Sequence, residues 1–291
     1  DYGCVAANYV EALGSKREQK SWQTSVRDNE TGEEFTIHSK VLINACGPYV
    51  DHYNQLIGQK TEHHHLFSKG IHLIVDKLTD NKRVLAFFAS DGRLFFVIPM
   101  GAKTCIGTTD TQVDSPISYV TDKDREFVLS NVNRLLKLDQ PLTKKDIIAE
   151  RCGVRPLAIK NGGKEIADWV KLSRKHEIDL NYEDQYLCIF GGKLTDCINV
   201  GEELSELIQK LGLKLTSPDK KWYGEPDLDK KAAFLRKAEK INLDQHTSSS
   251  SGEPLSQRLW RRYGERAEQL LDKIADDPTS AIKPIDEIDY I

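Results

Sequence analysis

Short apolar runs separated by polar turns dominate residues 1–50, and this pattern predicts strands at 6–12, 21–28 and 34–38. The stretch Asn29-Glu30-Thr31-Gly32 has the composition of a turn between the last two strands. A further buried strand is predicted at 41–46, and Gly47-Pro48 ends it. The chain therefore opens with β-structure.

Residues 51–185 carry a second set of apolar runs, which predict strands at 71–75, 84–89, 94–98 and 104–108. One helix is predicted among them, because Thr121 and Asp124 have the spacing of a capping box and apolar residues follow on one helical face. The run His63-His64-His65 is interpreted as a loop, since three consecutive side chains do not readily converge on one ion. We therefore predict no metal site.

The stretch CIFGGKLTDCINVGEEL, residues 188–204, joins two different patterns. The run 186–190 suits a strand covered on both faces, and apolar residues then recur at helical spacing as far as Leu211, with Gly212 as the stop. Gly191 and Gly192 allow close backbone approach, and a helix N-terminus presents unpaired N–H groups, so the stretch can bind negative charge. On these residues alone the simpler interpretation is favoured, a tight turn with an exposed lysine.

From residue 217 onward the pattern is helical, with a serine-rich stretch at 245–254 that is interpreted as a linker. No helix cap is evident at Ile291, and the chain begins with Asp1 rather than Met, directly in strand-like sequence. We therefore interpret the sequence as a piece of a longer protein.

The composition narrows the class of protein. Apolar residues make up 39% of the 291 residues, which supports a proper core, and charged residues make up 30%, which is typical of a soluble surface. The net charge of −4 argues against a nucleic-acid-binding protein. The 6 cysteines are scattered without a C-x-x-C pair, which favours a reducing compartment over a disulfide framework or a zinc site. No apolar stretch reaches membrane-spanning length, so any membrane contact is expected to be peripheral.

Several stretches occur in a fixed order: LINACGPYVD (42–51), SKGIHLIV (68–75), DGRLFFVIP (91–99), IGTTDT (106–111), CGVRPL (152–157), LSRKHEID (172–179), FGGKLTD (190–196) and LWRRYGERA (259–267). Together they closely resemble the family of FAD-dependent glycerol-3-phosphate dehydrogenases, which are flavin oxidoreductases of the D-amino-acid-oxidase type. The resemblance covers residues 3–271 approximately, and its specificity comes from the G-T-T-D, G-V-R-P and G-G-K-L-T stretches in this order.

The resemblance implies an α/β fold with α+β elements. Residues 1–50 would be the later part of the FAD-binding domain, and residues 186–215 would add a strand and a helix to it. Residues 51–185 would form an antiparallel-sheet substrate domain, in which 150–180 approaches the flavin site. Residues 216–291 would be a truncated helical C-terminal domain.

The activity implied by the resemblance is the oxidation of sn-glycerol 3-phosphate to dihydroxyacetone phosphate, with FAD as cofactor and quinone as electron acceptor. Such a protein would be bacterial and cytoplasmic, peripheral to the cytoplasmic membrane, and a homodimer is compatible with it. Two alternatives stay open. One is a glycerophosphate oxidase that uses oxygen, and the other is a non-catalytic protein that binds a phosphorylated metabolite.

Two arginines and a lysine are the candidate groups for substrate. Arg155 is expected where a strand emerges into a turn, and its guanidinium suits a bidentate contact with phosphate. Arg174 and Lys193 carry the same kind of charge, and the resemblance gives Arg174 to the phosphate and Lys193 to the flavin or the substrate. The alternative for each arginine is a surface ion pair.

His72 is the candidate catalytic base. It lies on a predicted apolar strand, where a lone histidine is more often a hydrogen-bonded core residue. The resemblance, however, implies that this strand lines the substrate cavity, and alcohol oxidation needs a group of near-neutral pKa to accept the hydroxyl proton. His176 is a second candidate for this role.

The resemblance also implies which residues contact FAD, and where this chain departs from the family. The expected contacts are Val10, Ala45, Gly47, Gly191, Gly192, Lys193, Leu194 and Thr195. No G-x-G-x-x-G turn, the usual cradle of the diphosphate, occurs in the sequence. The family usually continues G-G-K-L-T with Thr-Tyr-Arg, whereas this chain has Asp196-Cys197-Ile198, and a carboxylate there is expected to weaken a flavin or phosphate contact. We therefore expect residues 1–291 alone to bind FAD weakly or not at all and to show no turnover.

Overall fold

The computed structural model describes residues 4–162, 175–216, 226–247 and 251–276, and twelve strands and six α-helices lie in these ranges. The strands are β1 (Val10–Glu18), β2 (Ser21–Asp28), β3 (Glu34–Ser39), β4 (Leu42–Asn44), β5 (His63–Asp76), β6 (Leu85–Phe88), β7 (Leu94–Met100), β8 (Lys103–Gly107), β9 (Thr111–Val113), β10 (Ala149–Lys160), β11 (His176–Asn181) and β12 (Tyr186–Gly191). The helices are α1 (Val50–Leu56), α2 (Asp122–Leu135), α3 (Cys197–Lys210), α4 (Leu228–Lys240), α5 (Leu255–Tyr263) and α6 (Ala267–Asp276). The combination of sheets and helices confirms the α/β class.

The strands β1, β2 and β3 form an antiparallel sheet in that order. Alternation along the central strand buries Trp22, Thr24 and Val26. The prediction was right for β2 and β3 but wrong for the first strand, which begins at Val10 and continues to Glu18. The end of β1 is polar yet pairs with β2, and an apolar pattern does not detect such a segment.

A second sheet has the order β11-β12-β4, with β12 antiparallel to β11 and parallel to β4. The central strand β12 buries Tyr186, Leu187, Cys188 and Phe190, which confirms the strand expected to be covered on both faces. The strand β11 was not recognised from the sequence pattern. Because β4 and β12 are parallel, their carboxyl ends lie at the same edge of the sheet.

The third sheet has the order β10-β5-β8-β7-β6, and β9 also pairs with β5. The long strands β5 and β10 are antiparallel and pair from Lys160 with His63 to Ala149 with Ile74. The strands predicted at 71–75 and 94–98 lie within β5 and β7, and those predicted at 84–89 and 104–108 overlap β6 and β8. Ile71, Leu73, Phe95, Val97 and Ile106 are buried here.

The histidine run forms the first residues of β5, so its interpretation as a loop is wrong. These residues pair with 158–160 of β10, and the Nδ1 atom of His63 lies 2.6 Å from an oxygen of Asp179. A partner this far along the chain compensates the polarity of the ring, and the local pattern contains no sign of it.

The helix α2 begins as predicted. Thr121 is its N-cap, and reciprocal hydrogen bonds with Asp124 complete a capping box. Asp124 also forms a buried ion pair with Lys69 of β5, with 2.5 Å between nitrogen and oxygen. The capping box and the ion pair together attach the start of α2 to the sheet.

The helix α3 follows the glycine turn, as the sequence predicts. A short turn of 3-10 helix at Leu194–Asp196 leads into it. Gly212, with a φ of +80°, lies just beyond its end, so the glycine has the expected role of helix stop.

The helices α4, α5 and α6 confirm the helical character predicted after residue 217. Phe234, Leu243, Trp260 and Leu271 form their common core. Within the described part of the chain, none of the helices has both the length and the apolar character that crossing a membrane requires.

The chain divides into two compact units, Asp1–Ile74, Ala86–Val97 and Ile106–Pro218 in one, and Val75–Leu85, Ile98–Cys105 and Asp219–Ile291 in the other. The four-part domain division stays a prediction. The candidate residues discussed below belong to the first unit.

Candidate functional site

Two glycine turns lie at the carboxyl ends of the neighbouring parallel strands β4 and β12. Asn44 of β4 pairs with Cys188 of β12, and Gly47 and Gly191 follow shortly after these residues. In sheets of parallel strands, ligands bind outside this end of the strands. The arrangement therefore brings the predicted contacts Ala45 and Gly47 to the same sheet edge as the second turn.

The second turn, Gly191-Gly192, depends on glycine for its conformation. The φ angles are +63° and +83°, which disfavour residues with a side chain. A Cβ atom on Gly191 would lie 3.1 Å from the carbonyl oxygen of Lys175, and one on Gly192 would lie 3.1 Å from the Cβ atom of His176. The backbone is thus packed closely between β10 and the start of β11, and its other side lines a cavity.

A cavity of about 410 Å³ opens at this turn. It is lined by residues 154–158 of β10, Lys175 and the turn residues Gly191, Gly192, Lys193 and Leu194. A neighbouring cavity of similar volume is lined by Lys175, Lys193, Thr195 and Asp196. The cationic side chains along the two cavities are Arg155, Lys175 and Lys193. Together with a helix N-terminus, they favour an anionic ligand.

Arg155 lies in the middle of β10 and not at the end of a strand, so the predicted location is wrong. Its guanidinium extends across the backbone of the opposing strand at Gly70, where an added Cβ atom would lie only 2.2 Å from Nη2. Gly70 therefore provides the space for the guanidinium. Nη2 donates to the hydroxyl of Thr108 at 3.2 Å, and Nη1 lies 3.7 Å from an oxygen of Asp110.

The G-T-T-D stretch holds this arginine in place. Asp110 accepts a hydrogen bond from Ser68, and its carbonyl oxygen accepts one from Arg93 at 2.9 Å. The hydroxyl of Thr109 accepts a hydrogen bond from the backbone N–H of Ile71 at 3.1 Å. The sequence marked this stretch as characteristic of a family but gave no role to its individual residues, because their partners are on another strand.

His72 is half-buried and lies on the same sheet face as Gly70, and it pairs with Arg151 of β10. Its ring packs on Gly107, where a Cβ atom would lie 2.9 Å from Cδ2. Burial lowers the pKa of His72, and the positive charges of Arg155 and Arg151 lower it further. The imidazole therefore remains unprotonated at neutral pH and is able to accept a proton.

His65 connects the two glycine turns, a role that the sequence pattern did not indicate. Its ring is completely buried, and Nε2 accepts a hydrogen bond of 3.1 Å from the backbone N–H of Gly191. Nδ1 lies 3.1 Å from a carboxylate oxygen of Asp51 but makes no hydrogen bond. The same oxygen accepts the backbone N–H of His65 at 3.0 Å. Asp51 lies in the first turn of α1, which directly follows the Gly47 turn.

His176 lies buried behind the glycine turn. Its Nδ1 is 2.6 Å from Asp196, and its Nε2 is 2.9 Å from Glu203. Burial alone would lower the pKa of His176, but the hydrogen bonds to Glu203 and Asp196 outweigh it and raise the pKa. The hydrogen bonds from His176 and then from Asn199 lower the pKa of Asp196. The carboxylate that departs from the family pattern is thus paired with an imidazole.

The other predicted site residues have different locations. Arg174 lies outside the described residues. Val10 begins β1 in the first sheet, and among the described residues it does not line either cavity. Leu194 is 91% exposed at the cavity mouth, and Thr195 lines the second cavity.

A family model described as FAD dependent oxidoreductase matches residues 1–184. The aerobic glycerol-3-phosphate dehydrogenase of Bacillus subtilis (strain 168) is 31% identical over 212 residues, which cover 72% of this chain and 37% of that protein. The same-named protein of Staphylococcus haemolyticus (strain JCSC1435) is 30% identical over 87% of this chain and 46% of its own length. This chain therefore spans less than half the length of these relatives.

Solved structures give a consistent result. The glycerol-3-phosphate dehydrogenase from Bacillus halodurans, crystallised with FAD, superimposes with a TM-score of 0.73 at 27% identity, over 94% of this chain and 53% of that chain. L-proline dehydrogenase from P.horikoshii reaches a TM-score of 0.52 at 15% identity, over 72% of this chain and 52% of that chain. The second likeness is one of fold alone.

Proposed function

Because the chain belongs to the FAD dependent oxidoreductase family, we propose that it serves the FAD-dependent oxidation of sn-glycerol 3-phosphate to dihydroxyacetone phosphate. The names of the relatives support this substrate. The observation that carries the proposal is the location of Arg155 and His72 on one face of the paired strands β5 and β10, where a phosphate clamp and a proton acceptor are both available.

The residues at the second glycine turn fit a flavin cofactor. Gly191 and Gly192 have no side chain that would block a planar ring, and Lys193 and the start of α3 provide positive charge. Ala45 and Gly47 lie at the neighbouring turn and would hold another part of FAD. When bound, FAD supplies the acceptor for the hydride that leaves C2 of the substrate.

Arg155 would bind the substrate phosphate. A planar guanidinium donates two parallel hydrogen bonds to phosphate, and contacts with Thr108 and Asp110 fix its orientation in advance. Arg174 is proposed for the same phosphate from the sequence resemblance. Binding energy at the phosphate, remote from C2, would then orient the alcohol for reaction.

His72 would accept the proton of the C2 hydroxyl. Its lowered pKa supports this role, since a base has to be unprotonated before the reaction. Burial first, and then the charge of the Arg155 guanidinium, lower the pKa of His72 and keep the imidazole neutral, and the same charge would attract the anionic substrate. The positive charge of Arg155 would therefore support both proton acceptance by His72 and binding of the substrate.

We propose quinone as the electron acceptor and a peripheral location at the cytoplasmic membrane, where quinones are dissolved. The relatives are called dehydrogenases and not oxidases, which favours quinone over oxygen.

The proposal is tested on the full-length product of the gene, purified with FAD under anaerobic conditions. Addition of sn-glycerol 3-phosphate should bleach the visible flavin absorbance, and dihydroxyacetone phosphate should form in equal amount. Glycerol, which lacks the phosphate, is the control and should bleach it far more slowly. A protein that binds no flavin, or whose flavin is not reduced by the phosphorylated substrate, would contradict the proposal.

A further inference from the structure

The imidazole of His176 lies between two carboxylates. The ring of His176 is 5% exposed, and its two nitrogens face Asp196 and Glu203 at 2.6 and 2.9 Å. Asp196 is the N-cap residue of α3 and Glu203 lies seven positions further along, so both face the same side of the helix. None of these three residues has a role in the proposed reaction.

The geometry requires a positively charged ring. An ionised carboxylate only accepts hydrogen bonds, so both nitrogens of His176 have to carry hydrogen when both carboxylates are ionised. The neutral ring has a single N–H and would leave one carboxylate without its hydrogen bond. The raised pKa of His176 agrees with this assignment. Lys175 and Lys193 are the other charged groups at the same cavity, and Lys175 also interacts with Asp196.

The cluster adjoins the second glycine turn directly. His176 pairs with Gly191 across β11 and β12, and its Cβ atom occupies the space beside Gly192. Asp196 lines the cavity next to Lys193 and Thr195. An unpaired carboxylate at this point would repel an anion that binds at the turn.

We propose that His176 is a positioning residue whose imidazolium neutralises Asp196 and fixes α3 against β11, so that the glycine turn keeps its affinity for an anionic cofactor. This inference rests on the proposed function, because it takes the anion to be FAD. The residue does not contact the reacting atoms in this role. His176 acts through Asp196, and deprotonation of the His176 ring weakens cofactor binding.

The test measures FAD affinity and not turnover. The apoprotein of the full-length gene product is titrated with FAD from pH 6 to pH 9, and quenching of flavin fluorescence reports binding. The wild-type affinity should fall about tenfold as the pH rises, which corresponds to one pKa unit of coupling. His176→Gln should bind weakly at every pH. Arg27→Gln, which breaks the surface ion pair with Glu11, is the control and should follow the wild type.

A double variant separates charge from packing. His176→Gln/Asp196→Asn removes both charges and should recover most of the lost affinity, without pH dependence. Asp196→Asn alone keeps the histidine and should bind FAD at high pH at least as tightly as the wild type, which provides a test even if His176→Gln fails to fold.

Three results would overturn the inference. FAD affinity in His176→Gln equal to that of the wild type would exclude it and leave the proposed function intact. A double variant that folds but binds no better than His176→Gln would show that the histidine acts by packing alone. Failure of the wild-type apoprotein to bind FAD would instead contradict the proposed function, and the inference with it.

Discussion

The backbone N–H of Gly191 donates its hydrogen bond to the buried Nε2 atom of His65. A nitrogen that accepts carries no proton, so the ring proton of the neutral tautomer is on Nδ1, facing Asp51. One side chain from β5 thereby holds the backbone of the second glycine turn and contacts the helix that follows the first.

Replacement of His65 by leucine should therefore destabilise the protein. The change leaves the N–H of Gly191 without its acceptor and next to an apolar side chain, which costs about 1–3 kcal/mol in the free energy of unfolding. Urea denaturation of the full-length protein measures this loss. His64→Leu is the matched control, because His64 is exposed, and it should change the free energy by less than about 0.5 kcal/mol. Equal effects of the two substitutions would refute the role of His65.

Gly70→Ala should impair substrate binding more than stability. The added Cβ atom would overlap the guanidinium of Arg155, which is the flexible end of a side chain and can move away. A misplaced clamp should lower kcat/KM for glycerol 3-phosphate by about 10²-fold. Gly153→Ala, on the opposing strand with open space around it, should leave kcat/KM close to the wild-type value. Equal values of kcat/KM in Gly70→Ala and Gly153→Ala would contradict this role of Gly70.

Arg155→Ala should raise KM for glycerol 3-phosphate steeply. Removal of one charged partner of the phosphate should cost about 2–4 kcal/mol in kcat/KM. Lys160→Ala is the control, since Lys160 lies on the same strand, in an exposed ion pair with Glu62 and outside the cavity lining. Steady-state kinetics of both variants provide the comparison, and an unchanged KM in Arg155→Ala would refute the phosphate assignment.

His72→Asn should lower kcat by about 10²-fold or more while FAD content stays unchanged. The pKa of His72 is lowered below its ordinary value of 6.5, so the base form persists at neutral pH and is lost only as the pH falls through the lowered value. The wild-type rate should therefore rise with pH through this range and then level off. If His72→Asn had a normal kcat, and its rate fell at low pH as in the wild type, the role of His72 would be structural.

Lys69→Met should destabilise the protein through Asp124. The substitution leaves a buried carboxylate at the start of α2 without its cation, which costs about 3–5 kcal/mol in the free energy of unfolding. Lys69→Met/Asp124→Leu removes both charges and should restore part of this loss. Urea denaturation of the two variants decides the point, and a double variant less stable than the single one would contradict the explanation.

Local patterns in the sequence were sufficient for the elements that depend on neighbouring residues. The capping box of α2, the glycine stop of α3 and the buried run of β12 all follow from spacing within a few residues. The motif-based resemblance to a flavin oxidoreductase family is likewise confirmed by the match over residues 1–184.

Features that depend on distant partners were not predicted. The histidines at the start of β5 looked like a loop because Asp179 and Gly191, which bind two of them, lie far along the chain. Arg155 was predicted at the end of a strand because Gly70, which provides the space for its guanidinium, lies on another strand. Asp196 was expected to weaken anion binding because its partner, His176, belongs to a strand that the sequence pattern did not reveal.

The pairing of β5 with β10 also bears on how the protein loses activity. Ser68, Gly70 and His72 belong to one strand and Arg155 to the other, within a ladder that runs the whole length of β10. Residues in the middle of such a ladder open mainly together with the whole sheet, whereas its ends fray locally. His72 and Arg155, the proposed proton acceptor and phosphate clamp, therefore separate only when the sheet itself opens. Inactivation by heat or denaturant should coincide with the cooperative loss of structure in this sheet and should not precede it.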